Sequence, residues 1–422
     1  LSIPEILKAI KRLKEANLIN ELKLLHFHLG SQINDISVLK DALQEAGQIY
    51  IELKHIGAPM GFLDVGGGLG VDYDGSRTAT TASTNYSLQN YANDVVATIQ
   101  ECCESKEIDM PTLISESGRA IASHFSILVF NVLTKSSVSS QIPSTTKEES
   151  LTIKNLRETL KAINTLPQNS NIDAAKLQES WNDALKFKDD ALLAFRLGYI
   201  SLIERGIAEQ ITWACAKALV SRIPNTDEQL IPEELRQLKT KLASTYYANL
   251  SIFRSAPDTW AIEQLFPIMP IHRLNERPNE LGHFADLTCD SDGQLSKFIA
   301  NGAIKPLLEL HDLKPNEDYL IAIFLSGAYQ EVMGNLHNLF GTTNAAHIRL
   351  TEKGNYTVEH VVRGNTKADV LRAMEHNPDS LLERLRLASE LAIQKGSLQI
   401  KDAQRLMEHI EISLRQSTYF QE

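Results

Sequence analysis

Residues 61–68, Gly61-Phe-Leu-Asp-Val-Gly-Gly-Gly68, decide how this chain is expected to fold. Residues with strand character run directly into three consecutive glycines, and a long helical segment follows at 86–106. The order of strand, polar turn and helix recurs on both sides, which favours parallel strands joined by helical crossovers. In closed barrels of this type the active site lies at the carboxyl ends of the strands. The glycine turn is therefore expected at a functional rim.

The neighbouring predicted strands also end in polar residues. Residues 23–28 form a short strand that leads to Gly30-Ser31, and residues 112–115 lead into Glu116-Ser-Gly-Arg119. Only about three strand–helix units are recognisable, whereas a closed barrel needs eight. We therefore expect the C-terminal part of a (β/α)8 barrel whose other strands lie upstream. With Leu1 in place of an initiating Met, we also expect an N-terminally truncated chain.

Changes in composition divide the chain into four predicted domains, giving an α/β plus all-β fold class. They are the partial barrel at 1–133, a helical bundle insertion at 134–252, a β domain at 253–365 and a helical C-terminal extension at 366–422. The β domain is expected to be an antiparallel barrel or sandwich, and a strand is predicted at 125–133. The spacing of apolar residues predicts bundle helices at 151–166, 174–187, 191–223 and 232–252.

Charge and cysteine usage exclude several classes of function. A net charge of −11 argues against nucleic acid or an anionic membrane as a partner, because both require clustered positive charge. No apolar run approaches the roughly 20 residues that span a bilayer. The four cysteines are Cys102, Cys103, Cys215 and Cys289. Their spacing matches neither a metal site nor a disulfide framework, which predicts a cytoplasmic protein.

The first two polar turns each allow a chemical and a purely structural interpretation. Three glycines let backbone N–H groups approach an anion, although such clusters are structural turns about as often. Ser31 would add a hydroxyl donor to the same anion. His26 and His28 flank Phe27 on a strand, so both imidazoles are expected on one face, with one of them against a flat ligand. A buried, hydrogen-bonded histidine pair is the commoner meaning of this pattern.

Three further groups have the same ambiguity. Glu116 could hold a pyridine nitrogen protonated, and Arg119 could pair with a phosphate, but a surface ion pair between them is more usual. Cys289 could return a proton to a carbanion and Asp290 could receive a cationic substrate tail, although this segment also has an ordinary turn composition. Tyr329 offers a phenol to a phosphate and is weak evidence alone.

Together these segments resemble the alanine-racemase-like, fold-type III pyridoxal-phosphate decarboxylases. The matching stretches, in chain order, are His28-Leu-Gly-Ser31, Asp64-Val-Gly-Gly-Gly68, Glu116-Ser-Gly-Arg119, Cys289-Asp290 and Gly327-Ala-Tyr329. The residues around them, the helical insertion and the helical tail are most similar to the bacterial biosynthetic arginine decarboxylase family. Relatives acting on ornithine or diaminopimelate usually carry proline where Ser117 stands, which favours the arginine branch.

The resemblance implies decarboxylation of L-arginine to agmatine and CO2, with pyridoxal phosphate, in putrescine and spermidine biosynthesis. Magnesium accompanies the family, with no ligand assigned here. The implied catalytic residues are His28, Glu116 and Cys289. The implied cofactor-binding residues are His28, Ser31, Gly66, Gly67, Gly68, Glu116, Arg119 and Tyr329. The implied substrate-binding residues are Leu63, Asp64, Val65, Gly66, Gly67, Gly68, Leu69, Gly70, Val71, Asp72, Tyr73 and Asp290.

In these implied roles His28 stacks on the pyridine ring, Glu116 holds the ring nitrogen and Cys289 donates a proton after CO2 leaves. Asp72 and Asp290 are the implied partners of the basic substrate end. The resemblance also implies a homo-oligomer in which Cys289 and Asp290 reach into the site of a neighbouring subunit.

The lysine that holds the cofactor aldehyde in this family lies on an early barrel strand, before the His-x-Gly-Ser segment. Lys8, Lys11 and Lys14 fall on a predicted helix, and Lys23 begins the histidine strand, so none of them fits that position. We therefore expect this lysine upstream of the chain, and the isolated fragment to be inactive. Two alternatives remain: a related basic amino-acid decarboxylase acting on ornithine, lysine or diaminopimelate, and a non-catalytic partner subunit.

Overall fold

A computed structural model describes residues 1–139, 141–145, 149–167, 174–223, 231–300, 303–352 and 354–421. Its first part alternates helices and short strands, as the sequence predicts. The three strands are parallel and hydrogen-bonded in the order β1-β2-β3, with Leu25, Leu63 and Leu113 in register. The elements are α1 (Ile3–Glu15), β1 (Leu24–His26), α2 (Ile36–His55), β2 (Phe62–Asp64), α3 (Leu88–Glu104) and β3 (Thr112–Ile114).

Burial of one face of this three-stranded sheet explains why α2 and α3 pack against it. Leu63 is fully buried in a core that also contains Leu43 and Tyr50 of α2 and Ile99 of α3. The Tyr50 hydroxyl donates a hydrogen bond to the carbonyl oxygen of Met60 at 3.1 Å, which joins α2 to the segment that enters β2. Because side chains alternate along a strand, packing Leu63 inward points Asp64 to the opposite face.

A larger, mixed sheet forms the second part. Its strand order is β11-β7-β5-β4-β12-β6, with β8 paired to β7, and every pair is antiparallel except β5 with β7. The strands are β4 (Leu128–Ser136), β5 (Ser244–Ala248), β6 (Ile268–Pro270), β7 (Glu280–Ala285), β8 (Gln294–Leu295), β11 (Leu308–Leu310) and β12 (Leu320–Ile323). A separate hairpin is formed by β9 (Phe298–Ala300) and β10 (Ala303–Lys305).

The position of β4 corrects the sequence analysis. The strand predicted at 125–133 is present, but it pairs with β5 and β12 of the larger sheet and not with the parallel strands. Phe130 and Val132 are buried in the core of that sheet, which explains the pairing. We retain the four-domain division as a proposal, with β4 and β5 belonging to the larger sheet.

Between β4 and β5 lies the helical bundle. Its described helices are α5 (Leu151–Thr165), α6 (Ala174–Arg196), α7 (Leu202–Val220) and α8 (Glu233–Lys241). The predicted break at 187–191 was wrong, because α6 continues to Arg196 and the chain turns at Gly198, where φ is +77°. The helix predicted at 232–252 was also wrong beyond Lys241. Buried Ser244, Tyr246 and Ala248 alternate with less buried neighbours there, which is the period of a strand. Part of the predicted linker at 134–147 lies outside the described residues.

The C-terminal region completes the structure. A predicted hairpin is confirmed by β13 (Ala345–Leu350) and β14 (Tyr356–Val362), which are antiparallel. The tail is helical, as expected, and its end returns to the larger sheet, where Asn249 and the backbone of Phe420 exchange two hydrogen bonds of 2.9 and 3.1 Å. Its helices are α12 (Lys367–Ala373), α13 (Pro378–Gln394) and α14 (Ile400–Arg415), and short helices elsewhere are α4 (Gly118–Ala122), α9 (Ile252–Ser255), α10 (Asp258–Ala261) and α11 (Gln330–Met333).

We predict that Leu63→Ala lowers the local stability of the parallel sheet by about 2–5 kcal/mol, because it leaves a cavity among fully buried side chains. Amide hydrogen exchange in α2 and α3 measures this change. Leu88→Ala is the matched control, because Leu88 is 70% exposed, and its effect should stay below about 0.5 kcal/mol. Equal effects of the two substitutions would contradict the assigned core.

Candidate functional site

The polar turns converge at the carboxyl ends of β1, β2 and β3. His26 and Asp64 end their strands side by side, and His26 Nδ1 lies 3.1 Å from Asp64 Oδ2. Asp64 Oδ1 accepts the N–H of Gly66 at 2.8 Å, and the Glu116 N–H donates to the Gly66 carbonyl oxygen at 2.9 Å. Three turns that are separate in the sequence are therefore joined by hydrogen bonds at one edge of the sheet.

The glycine turn has a backbone that only glycine suits. Gly66 has φ of +67°, and a Cβ there would lie 2.2 Å from the carbonyl oxygen of Phe27. The Gly67 N–H donates to His28 Nδ1 at 3.1 Å. An accepting Nδ1 places the proton of a neutral imidazole on Nε2. Two of the three glycine amides are thus engaged within the protein, whereas the Gly68 N–H has no acceptor among the described residues.

The backbone places His28 differently from the sequence expectation. Strand β1 ends at His26, so His28 lies in the following loop and not on the same strand face. Its imidazole instead contacts the glycine turn, while His26 contacts Asp64. The prediction of a matched histidine pair on one strand was wrong, because the strand is only three residues long.

A second cluster surrounds the guanidinium of Arg119. Its Nε donates to Ser31 Oγ at 2.9 Å, and Nη1 donates to the Tyr73 hydroxyl at 3.1 Å. The ring of Tyr329, from the segment before α11, lies 4.7 Å from Cζ. Three of the predicted cofactor-binding residues, Ser31, Arg119 and Tyr329, are therefore brought together from different parts of the chain.

The charge of Arg119 has no protein counter-ion in this cluster. Arg119 is only 7% exposed, and no carboxylate in the described ranges forms a salt bridge with it. The alternative of an ion pair with Glu116 is thus contradicted. A buried cation is costly unless an anion or hydrogen bonds satisfy it, so this arrangement suits a phosphate group. Burial raises the pKa of Tyr73, and the hydrogen bond and charge of Arg119 only partly oppose this, which keeps the phenol protonated.

The turn between Glu116 and Arg119 is shaped by Ser117, which sequence reasoning did not select as a site residue. Ser117 has φ of +46° and is buried, and its hydroxyl lies 2.6 Å from that of Ser115. Tyr91 of α3 extends this chain of hydroxyls to Ser115 at 3.0 Å. The pattern of small hydroxyl residues around Glu116 was the only signal in the sequence.

In the predicted substrate-binding stretch, residues 63–73, most side chains contact the protein itself. Asp72 Oδ1 accepts the N–H of Gly75 at 2.9 Å and the hydroxyl of Ser83 at 2.6 Å, so one of its oxygens is engaged within its own loop. The apolar residues of this stretch have side chains that are buried in the cores, so a binding role for them would use their backbone. These residues are Leu63, Val65, Leu69 and Val71.

Cys289 and Asp290 lie together in the loop between β7 and β8. Both are exposed, and within the described ranges no hydrogen bond or ion pair joins them to Glu116 or Arg119. The Asp290 carboxylate instead accepts a hydrogen bond from His337 Nε2, which holds the pKa of Asp290 below its usual value. The Cys289 N–H donates to Asn338 Oδ1 at 3.3 Å. Sequence reasoning missed His337 and Asn338.

The early lysines lie where the sequence suggested. Lys8, Lys11 and Lys14 are on α1, and Lys23 precedes β1, where its carbonyl oxygen accepts the N–H groups of Gly61 and Phe62. Across the described residues, no lysine forms a salt bridge with Asp64 or Glu116.

A groove of large volume lies in another part of the described structure. This groove, of about 820 Å³, lies between the helical bundle and the larger sheet, next to Trp213 and His283. It contains none of the residues in the two clusters. We identify the site by its convergent polar groups and buried charge, because these have specific chemistry whereas the groove has only volume.

Comparison with known proteins gives consistent matches along the chain. Residues 5–123 match the family model described as pyridoxal-dependent decarboxylase, pyridoxal binding domain. Residues 146–239 match the arginine decarboxylase helical bundle domain, and 368–420 match the arginine decarboxylase C-terminal helical extension.

Biosynthetic arginine decarboxylases are among the most similar proteins. One from Prochlorococcus marinus and one from Parasynechococcus marenigrum are 69% and 66% identical over the whole chain, which spans 65% of the length of each. The crystal structure of the biosynthetic arginine decarboxylase SpeA from Campylobacter jejuni is 32% identical, with a TM-score of 0.83, over 100% of this chain and 67% of that one. These matches confirm the predicted fold class. No helix in the described part of the chain is both long and apolar enough to cross a membrane.

We predict that Arg119→Gln weakens binding of pyridoxal phosphate by about 10- to 100-fold, because a charged hydrogen-bond donor to phosphate is lost. Binding of pyridoxal, which lacks the phosphate, should be nearly unchanged. Equilibrium dialysis with both ligands measures this, and Arg77→Gln, in an exposed loop, is the control. An equal loss for both ligands would contradict a phosphate-binding role.

Proposed function

Because the chain belongs to the family of pyridoxal-dependent biosynthetic arginine decarboxylases, we propose that it takes part in the decarboxylation of L-arginine to agmatine and CO2. The single observation that best supports this proposal is the buried guanidinium of Arg119, which contacts two hydroxyls and an aromatic face but no carboxylate in the described residues. A phosphate-bearing cofactor supplies the missing negative charge. Glu116, three residues earlier, remains available for a different part of the same ligand.

In the proposed phosphate subsite, Arg119 supplies the charge. Ser31 and Tyr329 lie against its guanidinium, and the Gly68 N–H is open to an acceptor in the described structure. Gly66 and Gly67 support this subsite indirectly, since their amides hold Asp64 and His28 in place. Tyr73 orients Arg119 through its hydroxyl, which accepts a hydrogen bond from Nη1.

In the proposed ring subsite, Glu116 holds a proton at the pyridine nitrogen and His28 lies against the ring. When bound, pyridoxal phosphate supplies an electron sink that accepts the electron pair released as CO2 leaves. The task of Glu116 is electrostatic, because a carboxylate beside the nitrogen favours its protonated form. The task of His28 is positional, and the hydrogen bond from Gly67 fixes the direction of its imidazole.

For the substrate we propose contacts at two acidic residues. Asp290 carries a carboxylate whose lowered pKa keeps it ionised, which suits the guanidinium of arginine. Asp72 is the second candidate, through the oxygen that its own loop leaves open. We propose that Cys289 donates a proton to the product carbon. Cys289 and Asp290 lie in a loop separate from the Arg119 cluster, and we propose that they act in the site of a neighbouring subunit of a homo-oligomer.

Magnesium dependence rests on the family resemblance alone. Among the described residues, the side chains that come close enough together to share a metal ion are His26, Asp64 and Glu116, whose ligand atoms lie within 4.8 Å of one another. Mg²⁺ prefers oxygen ligands in octahedral geometry. This set includes an imidazole nitrogen, and Asp64 is already engaged by His26 and Gly66. The set does not fit magnesium, and we assign it no step.

The biological setting follows from the same proposal. Agmatine is a cationic amine, and the relatives are named biosynthetic, which supports a place in the supply of putrescine and spermidine. The acidic composition and the cysteine pattern support a cytoplasmic location and argue against nucleic acid or membrane partners.

We predict that the protein, assayed together with the lysine-bearing segment that the sequence analysis expects upstream and with pyridoxal phosphate, releases labelled CO2 from arginine in preference to ornithine, lysine and diaminopimelate, whereas the isolated chain releases none. Glu116→Gln should lower the rate by at least about 100-fold, because the ring nitrogen loses its ionised partner. Glu104→Gln, at the exposed end of α3, is the control. A preference for another amino acid would support a related decarboxylase. Cofactor binding without CO2 release from any of the four would support a non-catalytic partner subunit.

A further inference from the structure

We propose that His337 and Asn338 are positioning residues for Cys289 and Asp290, with Asn338 holding the thiol and His337 holding the carboxylate. This inference rests on the proposed function, because it concerns the loop assigned to the proton donor and to the substrate's basic end. Two adjacent residues of one segment contact two adjacent residues of another, although 47 to 49 positions separate them in the sequence.

The base of the Cys289 loop is fixed independently. Asp286 is 4% exposed, and its carboxylate accepts the N–H of Ile252 at 2.8 Å and both the N–H and hydroxyl of Thr288 at 2.7 and 2.6 Å. Its own N–H donates to the Gly293 carbonyl oxygen at 2.8 Å. These contacts close the loop at its base, and the Gly293 N–H also donates to the Asp290 carbonyl oxygen at 3.0 Å. The side chains of Cys289 and Asp290, which form the tip of the loop, are contacted from outside the loop by Asn338 and His337.

Asn338 holds the first residue of the tip. Its Oδ1 accepts the Cys289 N–H at 3.3 Å and lies 3.7 Å from Sγ, within the range of a thiol hydrogen bond. Asp290 Oδ2 lies at the same distance of 3.7 Å from Sγ, so the thiol has two acceptors and Asn338 is the one that also holds the Cys289 backbone. Asn338 has φ of +50° and Leu339 has φ of +63°. Consecutive non-glycine residues in this region are strained, and such strain persists where surrounding contacts maintain it.

His337 holds the second residue of the tip. The imidazole Nε2 of His337 donates to Asp290 Oδ2, and the ring packs on Phe253 with 4.3 Å between the ring centroids. The backbone N–H of His337 donates to Asn335 Oδ1 at 2.9 Å. Phe253 is buried, so the imidazole rests on a side chain that is itself fixed by packing. One carboxylate oxygen of Asp290 is thereby directed and the other is left for a cationic ligand.

These contacts predict that substitutions at His337 and at Asn338 change different measured quantities. His337 acts on the substrate-binding carboxylate, so its loss should change KM more than kcat. Asn338 acts on the thiol, so its loss should change the reactivity of Cys289. A general disturbance of the fold would change both quantities together.

His337 is tested with two variants, each assayed together with the lysine-bearing segment that the sequence analysis expects upstream. His337→Phe keeps a ring for Phe253 but removes the donor, and we expect KM for arginine to rise about three- to fivefold with little change in kcat, as for an exposed ion pair. His337→Gln retains an N–H donor and should restore KM. His376→Phe, at an exposed histidine, is the control. An unchanged KM in His337→Phe, or a loss that His337→Gln does not restore, would overturn the role of His337.

Asn338 is tested by alkylation of the thiol with iodoacetamide, followed by peptide mass analysis. Cys289 is the one exposed cysteine, whereas burial raises the pKa of Cys102 and Cys103, and that of Cys215 to about 12. Asn338→Ala should increase the rate at Cys289 by about three- to tenfold, because the neutral thiol loses one of its two acceptors and the Cys289 N–H loses its partner. Asn316→Ala is the matched control, since Asn316 is exposed and also has positive φ.

An unchanged alkylation rate in Asn338→Ala would overturn the role of Asn338. The alkylation experiment requires no decarboxylation. If the protein assayed with the expected upstream lysine segment releases no CO2 from arginine, the proposed function fails, while the alkylation rate at Cys289 still decides whether Asn338 positions the thiol.

Discussion

The buried charge of Arg119 is the constraint on which the arrangement of the site depends. A guanidinium removed from water must be compensated, and here the compensation comes from the hydroxyls of Ser31 and Tyr73 and from the ring of Tyr329. Ser31 follows β1, Tyr73 follows the glycine turn, and Tyr329 follows β12. The charge is thus contacted by both parts of the structure, and the site lies where they meet.

Close packing at this junction maintains the geometry. A Cβ at Gly327 would lie 2.0 Å from the carbonyl oxygen of Ala122, so the Tyr329 segment approaches α4 more closely than any side chain would allow. The Gly327 N–H donates to the Ser123 carbonyl oxygen at 3.1 Å. Because close-packed interiors transmit displacements instead of absorbing them, a shift in the larger sheet would move the ring of Tyr329 relative to Arg119. The larger sheet is therefore part of the proposed phosphate subsite.

The sequence predicted the convergence of the polar turns better than it predicted the bounds of the helices and strands, and the reason is local. Glycines and charged residues that directly follow strands are positioned by the strand itself, so Asp64, Gly66 and Glu116 lie together as expected. The contacts of His337 and Asn338 with the Cys289 loop depend on tertiary packing and have no local signal. Strand β5 was predicted as a helix for a related reason, since short runs of apolar residues fit a helix or a strand until their partners are known. Strand β4 was predicted as a strand, but its pairing with β5 and β12 depends on tertiary contacts.

The separation of Glu116 from Arg119 shows how a short local sequence creates the site. Opposite charges three residues apart would pair on the face of a regular helix. Here Glu116 remains at the end of β3 through its hydrogen bond to Gly66, whereas Arg119 lies in α4. Ser117, with φ of +46°, reverses the chain between them and prevents a continuous helix from bringing the two side chains together. Each charge is consequently left for an external group. The guanidinium of Arg119 is buried, whereas the carboxylate of Glu116 is exposed. A ligand with a phosphate at one end and a protonated nitrogen at the other satisfies both, which neither residue can do for the other in this backbone.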